Sequence, residues 1–289
     1  TGSYAGGKQL FDWANQRKEP IPVFAEMGSV NPVFLLPEKL QSSADEIATM
    51  YAGSITLGVG QFCTNPGLII GIESKALQTF IHDLGKAIQQ IVPGTMLHPG
   101  IANAFAAKKE ESLLQPDVHL VAESAIAPTE KQGQPTIATV DGRTFLSNPV
   151  LHKEVFGPYS LVVRCADMEE MIEVAKHLEG QLTSTIMATT ADINNNDELV
   201  EAVKNICGRF ILNSVPTGVE VCLSMHHGGP FPATTDARFT SVGADAIKRF
   251  ARPIAFQNWP DELLPDELKN ANPIGIWRMV NTEPGNTTL

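Results

Sequence analysis

Apolar positions along the chain switch between short continuous runs and stripes at helical spacing, the mark of alternating strands and helices in an α/β protein. Ser3 is placed to cap a first helix reaching about Lys18, with Leu10, Trp13 and Ala14 at helical spacing and Gly6 and Gly7 weakening its start. Pro20 ends it. Residues 21–25 and 33–36 read as strands flanking the turn Met27-Gly28-Ser29-Val30-Asn31-Pro32. Ser43 with Glu46 makes a capping box for a helix running towards Thr56. The glycine- and proline-bounded loop GVGQFCTNPG leads into a continuous apolar strand, Leu68–Ile72. Leu77, Phe80, Ile81, Leu84, Ile88 and Ile91 form a helical stripe that Pro93-Gly94 terminates. Next come a helix over about 101–114, strands near His119 and Ile137, a strand over 160–165, and a helix through Met168, Met171, Ile172 and Ala175. Strand 184–189, helix 197–206 and strand 209–212 repeat the unit. From 216 to 235 glycine and proline accumulate, as in an ordered loop over a site, and 274–279 reads as a late strand.

Composition narrows the partners. The 289 residues allow a substantial core, and the formal net charge of -11 argues against nucleic acid and against an anionic membrane surface. No apolar run approaches the roughly 20 residues of a membrane span. Four cysteines (Cys63, Cys165, Cys207, Cys222), none in a CxxC pair, are too few for a disulfide scaffold and point to a reduced, cytoplasmic setting.

Three places carry candidate chemistry. Cys63 lies in a loop between a helix and a buried strand, where a thiol can meet solvent and backbone N–H groups, although a cysteine beside Phe62 and an apolar strand is also a common inert core residue. Glu26 ends an apolar run before a glycine turn; among apolar neighbours its pKa is expected to rise, suiting a general base, and the competing reading is a solvated strand-end carboxylate. Glu154-Val155-Phe156-Gly157-Pro158 could grip a cofactor's ribose and ring, or could be a plain strand-entry turn.

Taken together, PVFAEMGSVNP, GQFCTNPG and KEVFGP resemble the glutamate, cysteine and cofactor-clamp motifs of the aldehyde dehydrogenase family, in that family's order and separations. The opening TGS resembles its pyrophosphate-binding turn. The resemblance implies an aldehyde dehydrogenase-like α/β fold, a catalytic domain plus the end of a Rossmann-like coenzyme domain, N-terminally truncated. It assigns 1–37 to the remnant of the coenzyme domain, 38–257 to the catalytic domain and 258–289 to a C-terminal segment with an oligomerisation strand. By the same resemblance Cys63 is the nucleophile and Glu26 the general base. Glu154 binds the nicotinamide ribose of NAD or NADP, Phe156 packs near the nicotinamide ring, and Gly2 and Ser3 lie at the phosphate turn, where a helix N-terminus favours anions. No metal is implied, and Cys222 with His226 and His227 lacks further ligands. The family's second oxyanion donor and its first dinucleotide-binding strands have no counterpart here, so the chain alone is expected to be inactive and its parent a homodimer or homotetramer.

TNPG after the cysteine, PTGVEVC and HHGGPFPATTDARFTSVG resemble the branch that oxidises 2,5-dioxopentanoate to 2-oxoglutarate; a branch acting on long-chain fatty aldehydes shares parts of the pattern. Arg238 is the candidate cation for the distal carboxylate. Readings of another class are a cofactor-independent cysteine hydrolase, for which no fitting histidine motif is evident, and a non-catalytic assembly module.

Overall fold

The computed structural model describes residues 1–288. The chain divides into two compact units, Thr1–Arg249 and Phe250–Leu289. The first begins with α1 (Tyr4–Gln16), β1 (Val33–Leu35), α2 (Pro37–Thr56), β2 (Leu68–Ile72), α3 (Lys75–Gln89), β3 (Gly94–Thr95) and α4 (Pro99–Leu113). It continues through β4 (His119–Glu123), β5 (Gln132–Gly133), β6 (Thr136–Asp141), α5 (Gly142–Ser147), β7 (Tyr159–Cys165) and α6 (Met168–His177). β8 (Gln181–Met187), α7 (Thr190–Asn194), α8 (Asp197–Asn205) and β9 (Cys207–Leu212) complete its regular elements.

Seven strands form one mixed sheet in the order β4-β6-β7-β2-β1-β8-β9; all neighbours are parallel except β4 with β6. Parallel strands need crossovers, and the intervening helices cover both faces, so the central strands must be apolar throughout. Period two then divides their side chains. Phe34, Leu68, Ile70, Leu161 and Val163 join one core with Met171 and Val174 of α6 and Leu199 and Val203 of α8. Val33, Leu35, Ile69 and Val162 join another with Ile47, Tyr51 and Ile55 of α2 and Leu77, Phe80, Leu84 and Ile88 of α3. Each of these side chains is almost completely removed from water. The first unit thus takes in both the segment expected to end a coenzyme domain and most of the segment expected to be catalytic.

Three expectations need correction. Residues 21–25 are not a strand: Pro20 and Pro22 remove two ladder donors, and the stretch meets the late loop through bonds of Val23 and Ala25 to Thr235 and, just beyond it, the isolated bridge of Glu26 with Thr234. Ser43 does not start a helix. It sits at a kink (φ -149°, ψ 28°) inside α2, which begins at Pro37 in the first-turn position proline tolerates, and its hydroxyl meets Lys39 Nζ. α1 forms with Ser3 as its cap, as expected, and buries only Ala14 of its apolar stripe, leaving Leu10 58% and Trp13 59% exposed. In the second unit the late strand is Arg278–Val280 (β10), paired in a hairpin with Glu283–Gly285 (β11), rather than 274–279.

Candidate active site

The cysteine loop and the Glu154 turn meet because a glycine lets their backbones touch. α2 unwinds through Leu57–Gly60, where Gly58, Val59 and Gly60 all have positive φ. A Cβ on Gly60 would lie 2.3 Å from the carbonyl carbon of Gly157, so this position tolerates no side chain and the cysteine loop rests directly on the Glu154–Pro158 turn. Asn65 closes the contact by donating from Nδ2 to the Gly157 carbonyl at 3.0 Å. On α1, a Cβ at Gly7 would strike the Met27 side chain, Cγ at 2.5 Å, so this side chain fills the space a larger residue would need.

Asn31, a residue for which no role was expected, ties the glutamate turn to the cysteine loop. Its side chain is buried, its φ is +47°, a left-handed value that asparagine accepts better than most residues, and its Nδ2 donates to the carbonyls of Cys63 (3.0 Å), Asn65 (2.9 Å) and Ser29 (3.3 Å). Its Oδ1 accepts from Ser29 Oγ (2.9 Å) and Thr183 Oγ1 (3.0 Å). Gln181, at the start of β8, accepts from the Val30 and Asn31 N–H groups and from Ser29 Oγ, so the 26–31 turn is pinned to the sheet at several points. Buried polar groups this fully paired specify one arrangement.

At the centre are three side chains that no local pattern joins. Cys63 Sγ, half-buried, lies 3.3 Å from His227 Nε2, and the same nitrogen lies 3.4 Å from Glu26 Oε2. Glu26 is also held by Ser241 Oγ, which donates to Oε2 at 2.6 Å. His227 arrives on the loop after β9, its N–H donating to Thr240 Oγ1 and its carbonyl accepting from the Ser241 N–H. Burial alone would raise the Glu26 pKa, as expected from sequence, but the bonds from His227 and Ser241 and the charge of His227 outweigh it and hold the carboxyl below its ordinary value. The bonds to Cys63 and Glu26 push the His227 imidazole up to about 9 against the opposing effect of burial. His227 Nε2 is therefore a strong proton acceptor wedged between a sulfur and a carboxylate. In the sequence His227 stands out only beside His226 and Cys222, a set without further ligands; the usable signal is its place beside Gly228-Gly229-Pro230 in the glycine-rich loop.

The remaining candidates fall around this centre. Glu154 is half-buried with its carboxyl group against Gly28, and desolvation drives it up to about 7 despite Lys108 and a bond from the Ser29 N–H. Phe156 is half-buried in the same turn. Ser3 caps α1, its Oγ accepting from the Gly6 N–H, and the Gly2 N–H donates to the Glu26 carbonyl at 3.0 Å, so the α1 N-terminus abuts the site. A cavity lined by Phe24, Glu26, His227, Phe239, Ser241 and Arg249, among others, does not include Arg238. The Arg238 guanidinium is 82% exposed and bound to Asp236 at 2.6 Å. Arg209 of β9 is half-buried instead, donates to the Pro216 carbonyl, and lies within electrostatic reach of Cys63.

The sequence profile of the aldehyde dehydrogenase family matches residues 1–233. Among curated proteins, the chain is 44% identical over 279 residues to alpha-ketoglutaric semialdehyde dehydrogenase 2 of Azospirillum brasilense, covering 96% of this chain and 53% of that protein. It is 43% identical over 282 residues to alpha-ketoglutaric semialdehyde dehydrogenase of Acinetobacter baylyi, covering 97% and 54%. The chain thus spans about half the length of the curated relatives it matches. Its fold is that of the gamma-glutamyl-gamma-aminobutyraldehyde dehydrogenase of Burkholderia cenocepacia (TM-score 0.69, 20% identity, 86% of this chain and 49% of that one). It is equally that of the aldehyde dehydrogenase KauB of Pseudomonas aeruginosa (TM-score 0.67, 21% identity, 86% and 49%).

Proposed function

The chain belongs to the aldehyde dehydrogenase family, and from that premise we propose that it carries the nucleophile and base of an enzyme oxidising 2,5-dioxopentanoate to 2-oxoglutarate. The observation that carries the reading is the line Cys63–His227–Glu26, with the Glu154 turn packed against the cysteine loop. The Cys63 sulfur adds to the aldehyde carbon while its proton passes towards His227 Nε2, and the Cys63 N–H is one donor to the developing oxyanion. The tetrahedral carbon then loses hydride, leaving a thioester on Cys63. Water attacks the thioester, its proton passes to the Glu26–His227 pair, and the carbon–sulfur bond breaks to release the acid and restore the thiol.

NAD or NADP, when bound, supplies the hydride acceptor. Glu154 fits the ribose, because a carboxyl group so desolvated gains from hydroxyl partners, and the α1 N-terminus at Gly2 and Ser3 fits the phosphates, having no acidic residue in its first turn. Phe156 would pack near the nicotinamide ring. For the distal carboxylate of the substrate, the burial of Arg209 favours it over Arg238. The domain reading is 1–37 as the end of a coenzyme domain, 38–257 as catalytic and 258–289 as the oligomer-forming segment of a homodimer or homotetramer in the cytoplasm. Among the described residues no helix is long and apolar enough to cross a membrane. The names of the relatives favour the dioxo acid over fatty aldehydes.

The test is the full-length protein with 2,5-dioxopentanoate and with decanal. The proposal expects NAD(P)H equal to acid formed and a higher kcat/KM for the dioxo acid; the reverse preference would assign the fatty-aldehyde branch. A cysteine hydrolase is the second reading, favoured by the placement of His227 between a thiol and a carboxylate. It expects acid from esters and no NAD(P)H from aldehydes.

A further inference from the structure

The same three side chains have the composition and spacing of a metal-binding set. Cys63 Sγ, His227 Nε2 and one Glu26 carboxylate oxygen all lie within 4.8 Å of one another. Zinc at bond lengths of about 2.3 Å to sulfur and about 2.0–2.2 Å to nitrogen and oxygen, arranged tetrahedrally, places sulfur and nitrogen about 3.5 Å apart and nitrogen and oxygen about 3.4 Å apart. The corresponding separations here are 3.3 Å and 3.4 Å. Two of the three separations already match, and the sulfur and the oxygen, within 4.8 Å of each other, come to about 3.6 Å apart when an ion binds.

We infer that Glu26, Cys63 and His227 form a three-ligand site for a thiophilic divalent cation, zinc foremost, and that occupancy blocks the nucleophile. A thiolate and a carboxylate neutralise the charge of the ion, and the neutral imidazole adds a ligand that suits zinc far better than magnesium or calcium. Binding forms Zn–S, Zn–N and Zn–O bonds and releases to solvent the protons that Cys63 and His227 carried. For Nε2 to offer its lone pair, the ring proton must sit on Nδ1. That atom is buried with no hydrogen-bond partner among the described residues and can take the proton without displacing a donor. A carboxylate or carbonyl normally steadies a ligating imidazole from that side. None does so among the described residues, so the ion binds reversibly rather than as a permanent structural part. Cys63 is the half-exposed member, giving the ion its route in and leaving the fourth position to water. Catalysis by the family reaction needs no metal; this ion is an inhibitor, and its binding stands or falls separately from aldehyde oxidation.

The test is metal binding to the metal-stripped chain, read by Co2+ absorption and by Zn2+ titration against a chromophoric chelator. One site per chain with a thiolate-to-cobalt charge-transfer band is expected. Cys63→Ser should abolish the band, His227→Asn and Glu26→Gln should each weaken Zn2+ at least tenfold, and Cys222→Ser should change neither. On the unmodified chain, Zn2+ should protect Cys63 but not Cys222 from iodoacetamide, with protection reversed by EDTA; this readout serves even where a variant fails to fold. The inference is overturned if Zn2+ leaves Cys63 alkylation unchanged, or if folded His227→Asn and Glu26→Gln bind as tightly as the parent.

Discussion

Replacing Asn31 by alanine tests whether the cysteine loop is held by one side chain. The Cys63 and Asn65 carbonyls and Thr183 Oγ1 each lose a bond to it at 2.9–3.0 Å, and Asn31, Asn65 and Thr183 are buried. A lost partner in such a site costs about 1–3 kcal/mol per group, and discounting for relaxation and non-additivity gives roughly 3–5 kcal/mol. Asn31 is also in the left-handed region (φ +47°), where alanine adds about 1 kcal/mol of strain and glycine adds none. Asn31→Ala should therefore lower unfolding free energy by roughly 4–6 kcal/mol, a large share of a typical total, with Asn31→Gly no worse. Urea denaturation of both variants measures this. In the full-length protein kcat should fall at least tenfold with a smaller change in KM, because the nucleophile is misplaced while binding surfaces remain. Loss of less than 1 kcal/mol in Asn31→Ala would refute the bracket.

The other predictions concern burial, backbone contact and substrate charge. Folding raises the Glu154 carboxyl from its ordinary 4.5 to about 7, so its burial is harmless below the lower value, destabilises progressively between the two, and by pH 8 has removed roughly 3 kcal/mol. Glu154→Gln should thus be more stable than the parent at pH 8 and no more stable at pH 4, as urea melts at the two pH values would register; a pH-independent difference would contradict this. Gly60→Ala should destabilise by several kcal/mol, since its Cβ would meet Gly157 backbone at 2.3 Å, whereas Gly53→Ala, with nothing within 4 Å inside α2, should stabilise by about 1 kcal/mol. Arg209→Met should raise KM for 2,5-dioxopentanoate at least tenfold and leave that for a neutral aldehyde unchanged, while Arg238→Ala, a surface ion pair worth about 0–1 kcal/mol, should alter neither by more than about twofold; the opposite pattern would restore Arg238.

Local signals were legible where neighbours in sequence decide structure. Leu68–Ile72 was read to the residue because Pro66-Gly67 and a polar turn bound an apolar run, and α3 was clear from its stripe. Residues 21–25 resemble a strand because their apolarity masks the effect of the two prolines, and Ser43 resembles a cap because a kink inside α2 mimics a start. What sequence hid lies in pairings across the fold. His227 is 164 residues from Cys63, and Asn31 reaches Thr183 across 152. Glu26 shows the consequence most clearly: its apolar neighbours in sequence foretold a raised pKa, and a histidine from the far end of the unit reverses it.

The most direct measurement is mass spectrometry of the acyl-enzyme. Full-length Glu26→Gln protein, mixed with 2,5-dioxopentanoate and NAD(P)+, should accumulate one acyl group on the peptide containing Cys63, with an equivalent burst of NAD(P)H, and none when the dinucleotide is omitted. An adduct on any other residue, or undiminished turnover by Cys63→Ser, would contradict the account.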